Sequence, residues 1–237
     1  MSTFLRFDER MSDSPFVERV WHCRSERADK FISIAEARWE MVVTRLYGMT
    51  MITVRGPETN AATIDCPAEG EWVGIRFKLG TFMPHLPVHH RLDRKDVNLP
   101  PAATRSFWLN GSAWEYPNFE NAEIFVNRLV HDGLIAVDRP VDAALQGHLK
   151  GFSLRSVQRH FLHTTGMTHA TIRQIERARH ATNLLKQGVS IPDTVHEAGY
   201  FDHAHLVRSL KRFIGQTPSQ IIQATEQLSF LYKTSLL

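Results

Sequence analysis

The strongest constraint on this chain is an arrangement that occurs twice after residue 139: a short helical pattern, a glycine, a capping residue, then an amphipathic helical pattern. In the first copy, PVDAALQGHLKGFSLRSVQRHFLHTTG, an initial helix would hold Val141, Ala144, Leu145 and Leu149. Gly151 interrupts it where a tight inter-helix turn needs positive φ. Ser153 is a good N-cap, and the helix after it would hold Leu154, Val157, Phe161 and Leu162 on one face. Its other face carries Arg155, Ser156, Gln158 and Arg159, all able to donate to or accept from base edges and phosphates. Gly166 ends it.

The segment THATIRQIERARHATNLLKQ predicts one longer helix over 168–187, capped by Thr168 and ended by Gly188. Ile172, Ile175, Ala178, Ala181, Leu184 and Leu185 form its apolar stripe, with Arg173, Arg177 and Arg179 on the other face. The layout then returns. Ser190 caps a short helix with Pro192 in its first turn, where a missing N–H costs nothing, and Gly199 provides the turn. Asp202 caps HAHLVRSLKRFIG, with Leu206, Leu210 and Phe213 inward and His203, Ala204, Val207, Arg208 and Lys211 outward. Gly215 and Pro218 stop it. A helix-turn-helix places its second helix in the DNA major groove, so two such units joined by one helix predict a reader of double-stranded DNA.

Charge distribution agrees. Residues 139–218 hold eleven Lys and Arg against five Asp and Glu, whereas the whole chain of 237 residues carries only +3. The basic half suits a polyanion and the remainder is mildly acidic. Two cysteines, Cys23 and Cys66, are too few for a disulfide framework or a four-thiolate zinc site, which predicts a reducing, cytoplasmic setting. The opening residues lack a signal-peptide apolar run, and no stretch reaches membrane-spanning length, so no membrane partner is expected.

The N-terminal part is β-rich. WEMVVTRLY and MTMITVR around Gly48 predict a hairpin, and WVGIRFKL, closed by Gly80, a further strand. Pro84, Pro87, Pro100 and Pro101 exclude long helices over 84–101. FENAEIFVNRLVH predicts a helix over 119–131 with Phe119, Ile124, Phe125, Leu129 and Val130 near helical spacing, stopped by Gly133 and bridging the two halves. Trp39, Trp72, Trp108 and Trp114 suit a core, and an effector pocket lined by them is the competing expectation. His85, His89 and His90 lie together, but the chain lacks the His-x-His and following Glu of a cupin metal site, so no metal and no cofactor are expected.

Residues 151–218 closely resemble the AraC/XylS family of transcription regulators. GFSLRSVQRHF…TGMT is similar to the signature of that family's first unit, and GYFDHAHLVRSLKRFIGQTPSQ to that of its second, with Gly199, Asp202, His205, Arg208, Lys211, Gly215, Thr217 and Pro218 matching in order. His203 stands where glutamine is common, Leu210 where phenylalanine is common, and Thr194 where an aliphatic residue is usual. The resemblance implies a bacterial transcription factor whose two recognition helices enter successive major-groove turns about 34 Å apart. Arg155, Gln158, Arg159, His203, Ala204, Val207 and Arg208 then become groove candidates, Arg173, Lys211 and Arg212 phosphate contacts, and His205 a buried or capping residue. The first 130 residues resemble more loosely the cupin-like sensor half of some such regulators.

The expected architecture is therefore α+β in two domains. Residues 1–132 form a β-rich, cupin-like barrel or sandwich with a closing helix, 133–224 an all-α bilobed double helix-turn-helix domain, and 225–237 a tail. The expected partners are DNA, a small-molecule effector, and RNA polymerase if the protein activates; a homodimer is left open. No enzyme activity is expected. A DNA-targeted alkyl-transfer protein would need a cysteine cluster, and a cupin-like enzyme would need metal ligands.

Overall fold

The computed structural model describes residues 4–93, 96–148 and 151–223, with side chains at 88 and 89 excepted. Leu149 of the first expected helix and the 225–237 tail lie outside the described residues. The N-terminal half consists of β1 (Leu5–Met11), β2 (Val17–Ser25), β3 (Asp29–Ser33), β4 (Glu40–Leu46), β5 (Met49–Arg55), β6 (Ala62–Cys66), β7 (Glu71–Phe77), β8 (Thr81–Phe82), β9 (Val97–Leu99), β10 (Pro101–Ala103), β11 (Ser106–Leu109) and β12 (Ser112–Glu115). Helix α1 (Ala122–His131) and β13 (Ala136–Val137) complete it. Six strands form an antiparallel sheet in the order β1-β2-β7-β4-β5-β9, β3 pairs with β6, β10 to β12 form a small meander, and β13 pairs with β8.

The expected hairpin is β4–β5. Tyr47 and Gly48 at its tip both adopt positive φ, 50° and 77°, matching the twist of a two-residue turn. Among its described residues the Pro-rich stretch holds a single short helical turn, over Val88–Arg91. The large sheet is apolar on one face. Met41, Val43, Ile52, Val54, Val73, Ile75 and Phe77 are buried there against Phe125, Val126 and Leu129 of α1. Because α1 is built into this core, the joining role expected of it falls instead to the segment around β13. Ile124, expected on its apolar side, is 66% exposed: positions 122, 125, 126 and 129 form the buried stripe, and 124 falls outside it.

Helices α2 (Arg139–Leu145), α3 (Leu154–Thr165), α4 (His169–Lys186), α5 (Ile191–Glu197), α6 (His203–Phe213) and α7 (Pro218–Gln223) make up the other half. The caps lie where the sequence places them. Ser153, Thr168, Ser190 and Asp202 side chains accept from Ser156 N, Thr171 N, Asp193 N and His205 N, each satisfying an amide the first turn leaves orphaned. Pro218 does more than stop a helix, since it opens α7. In α3, Leu154 and Leu162 are 70% and 45% exposed, not inward as expected. The buried stripe is Val157, Phe161, Thr164 and Thr165; the threonine hydroxyls bond back to the carbonyls of His160 and Phe161, which lets polar residues occupy the inner face.

The second hydrophobic cluster gathers α2 to α7 and also takes in Ile34, Ala35 and Ala37 from the chain after β3. Ala35 N donates to Phe213 O at 2.8 Å, and Ala61 N to Arg212 O at 2.8 Å. Gly215, at φ 82°, lies against Ile32 and Ala61 so closely that a Cβ would come within 2.9 Å. The two halves thus share a packed, hydrogen-bonded seam along α4 and the end of α6.

Candidate nucleic-acid interface

On α3, Arg155, Gln158 and Arg159 are exposed at i, i+3 and i+4, so they share one face away from Val157 and Phe161. Ser156 is half-buried, its amide held by the Ser153 cap. On α6, Ala204, Arg208 and Lys211 recur on one exposed face with His203 beside them, and Val207 is half-buried between them. Leu206, Leu210 and Phe213 are buried, as the sequence predicts. Among the described residues, Arg155, Arg159, Arg173, Arg208 and Lys211 make no ion pair, so no described carboxylate competes for these cations. His205 is half-buried, its ring edge-on to Tyr200 at 5.1 Å and its Nδ1 3.5 Å from the Phe201 amide, which is the packing role expected of it.

Beside α6 runs a cleft of about 460 Å³ shared with α4, lined by Arg173, Arg177, Arg208 and Arg212 and by no carboxylate. Arg177 lies over the Tyr200 ring at 5.7 Å, and Arg212 donates through Nε to Asn60 Oδ1 at 3.2 Å while lying over Phe213. Arg212 therefore also spans the seam to the N-terminal half. Arg179, expected on the exposed face of α4, is 5% exposed and points into that seam. Phe152 and Phe201 are also exposed, which apolarity alone does not predict. Each directly precedes the N-cap of a candidate recognition helix, and that shared position was visible in the sequence.

The other face of the six-stranded sheet is not packed against a core. With the β3–β6 ribbon it borders a half-open cavity of about 550 Å³. Strict alternation supplies its lining: Leu5, Phe7 and Glu9 from β1, Trp21 and Cys23 from β2, Val42 and Thr44 from β4, Trp72 and Arg76 from β7. Gly74 completes the β7 row, and the Trp21 indole covers it so tightly that a Cβ there would fall 1.9 Å from the ring. Burial pushes the Cys23 thiol up to about 12, so it lines the wall as a neutral group.

One end of the cavity is ionic. Glu36 meets Arg179 Nη2 at 2.8 Å, Arg76 Nη1 at 3.1 Å and Arg38 Nη1 at 3.2 Å. Arg38 also reaches Glu176 of α4 at 2.8 Å, and Arg76 reaches Glu40. Burial alone would raise the Glu36 carboxyl, but Arg179, Arg76 and Arg38 outweigh it and hold the group well below the usual carboxylate range. Elsewhere in the lining, Arg19 pairs with Glu9 at 3.0 Å and Arg55 with Asp96 at 3.5 Å.

The four tryptophans named from sequence do not converge. Trp72 lines the cavity. Trp39 stacks on Phe77 at 3.7 Å and donates to Thr81 O, Trp114 is buried against Phe125, and Trp108 is 46% exposed. Alternation and the separate β11–β12 meander carry these three away from the cavity, and Trp21 is the aromatic that joins Trp72 there. Among the described residues no group of three His, Cys, Asp or Glu is placed to hold a metal ion, and no helix is long and apolar enough to cross a membrane.

Comparison with known proteins agrees with the helical geometry. Residues 150–224 match the model of a helix-turn-helix domain. The HTH-type transcriptional regulator GlxA of Rhizobium meliloti is 36% identical over 88 residues, which is 36% of this chain and 27% of that protein, so the likeness spans about a quarter of the relative's length. No solved structure matches the chain. Two capped helix-glycine-helix units around α4, with matching sequence over the same span, make the C-terminal segment of this chain a helix-turn-helix domain of the AraC type.

Proposed function

We propose that this protein is a cytoplasmic, sequence-specific DNA-binding regulator of transcription, with a sensor part over 1–132, a DNA-binding part over 133–224 and a tail over 225–237. The observation that carries the reading is the recurrence, on the second helix of each unit, of exposed side chains that make no ion pair among the described residues: Arg155, Gln158 and Arg159 on α3, and His203, Ala204, Arg208 and Lys211 on α6. Arginine presents two parallel donors to guanine O6 and N7, glutamine pairs with adenine, and an alanine face accommodates a thymine methyl. Arg173, Arg177 and Arg212 border α6 as an acid-free cleft suited to backbone phosphates. The relative's printed name, a transcriptional regulator, supports the same class.

The cavity under the six-stranded sheet is the effector site in this reading, as its volume lies within the range of small-molecule pockets. RNA polymerase is a further partner if the protein activates. One chain already holds two reading helices, so a symmetric dimer is not required for a bipartite site. The test is selection of genomic fragments by the purified chain, followed by titration of the enriched sequence at two salt concentrations. One enriched site, specified in two patches about one helical turn apart, is the expected result. Affinity should fall by about 10³-fold or more between 50 and 200 mM salt if six or more phosphates are neutralised. Salt-sensitive binding without any enrichment would overturn sequence-specific reading by this chain alone.

A further inference from the structure

Resting on the effector reading, we propose that the N-terminal cavity takes an uncharged, mostly apolar small molecule bearing a hydrogen-bond acceptor oxygen, of the aromatic or alicyclic ketone or ether class, and that it acts on α4 through Glu36 and Arg179. Charge balance excludes a strongly ionic ligand. Each of the five arginines lining the cavity already meets a carboxylate, and its six lining carboxylates, Glu9, Glu36, Glu40, Glu58, Asp65 and Asp96, each meet a cation. A charged ligand would lose its hydration and find no free counter-charge among the described residues.

The acceptor requirement comes from the opposite imbalance. Trp21 Nε1 and Arg179 Nε are buried without a hydrogen-bond partner among the described residues, whereas no oxygen of the lining is left so. A buried donor without an acceptor costs free energy that a carbonyl or ether oxygen would recover once the Trp21 indole turns off Gly74, which it covers, and opens Nε1 to the cavity. The walls around it, Trp21 and Trp72 with Phe7 and Phe31, suit a flat apolar body.

Regulation follows from where Arg179 sits. It is a residue of α4, the helix joining the two helix-turn-helix units, yet it closes the ionic end of the cavity. Its Nη2 bonds both Glu36 Oε2 and Ala35 O, and the amide of Ala35 bonds Phe213 O at the end of α6. A ligand oxygen that draws the Arg179 guanidinium towards it through Nε pulls on the Nη2 bonds to Glu36 and Ala35, and through Ala35 on the bond to Phe213. The ligand shifts DNA affinity to the extent that it binds the clamped and released arrangements differently.

The test uses the fluorescent ketone prodan, a propionyl dimethylaminonaphthalene, against the corresponding dimethylaminonaphthoate, which puts a carboxylate on the same ring system. The full chain should bind one prodan on the order of tenfold more tightly than the naphthoate. Trp21→Phe should weaken prodan by roughly three- to tenfold, and Thr44→Phe, which fills the cavity, should abolish its binding. Saturating prodan should change affinity for the selected DNA site by about fivefold or more in the native chain and leave Arg179→Gln unaffected. Arg179→Lys, which keeps the charge and drops Nε, replaces that variant if it does not fold. Naphthoate binding as tight as prodan overturns the ligand class, and undiminished binding in Thr44→Phe overturns the site. A DNA response that is absent from the native chain, or that survives in the Arg179 variant, overturns the route to α4. A chain that discriminates the two probes as expected but binds no DNA overturns the regulator reading while supporting the ligand class.

Discussion

Thr194 in α5 has no exposed surface, and its hydroxyl has no hydrogen-bond partner among the described residues. That is the position where the sequence departs from an aliphatic residue, and the structure supplies the cost: a desolvated donor in a packed helix pair. Thr194→Val is nearly isosteric and removes it, so the unfolding free energy should rise by about 1 kcal/mol, read from urea denaturation. Arg159 and Arg208 pose the opposite case, since both are exposed and unpaired within the described chain. Their alanine variants should leave the denaturation midpoint almost unchanged and cost about 1–3 kcal/mol on the selected DNA site, with a smaller loss on random DNA. Equal losses on both DNAs would assign them to phosphates.

At the scale of elements, α6 depends on its first turn. Asp202 Oδ1 accepts the His205 amide at 2.6 Å. Asp202→Ala should cost about 0.5–2 kcal/mol of stability, and DNA affinity should fall with it because the same turn carries His203 and Ala204; a loss of affinity without loss of stability would mean that Asp202 acts at the DNA instead. These helices were legible in the sequence because local rules decide them, through cap, stripe and glycine stop. Leu154 and Leu162 of α3 are apolar yet face outward, because the inner face is completed by Thr164 and Thr165, whose back-bonds to His160 and Phe161 carbonyls leave no trace in hydropathy. The strands were harder to read. On β4 and β7 the two faces of the sheet are both partly apolar, one serving a core and the other a cavity, so alternation in hydropathy is weak although alternation in position is strict.

For the whole molecule the decisive contact is the Glu36 cluster. Its carboxyl is held far below the ordinary 4.5 by three arginines, so the unfolded chain takes up the proton first as pH falls. The stability it contributes is fully present above the ordinary carboxylate pKa and is lost as pH drops below about 4.5 towards the folded value. Glu36→Gln should cost about 3–5 kcal/mol near neutral pH, because it leaves buried arginines short of a partner. It should also flatten the acid limb of the stability curve, measured by urea denaturation from pH 7 to pH 3. A variant as acid-sensitive as the native chain would place the linkage elsewhere.

The sequence by itself determined the doubled helix-turn-helix, its caps, its glycine turns and the outward faces of α6 and most of α3, because each depends on residues within one or two helical turns of one another. It also determined that the N-terminal half is β-rich. Only the tertiary structure decided which strands share a sheet, that Trp21 joins Trp72 at a cavity while Trp39, Trp108 and Trp114 do not, and that Arg179 turns inward to Glu36. Those outcomes depend on strand pairing and on contacts between residues more than a hundred positions apart, where composition and spacing carry no information about who meets whom.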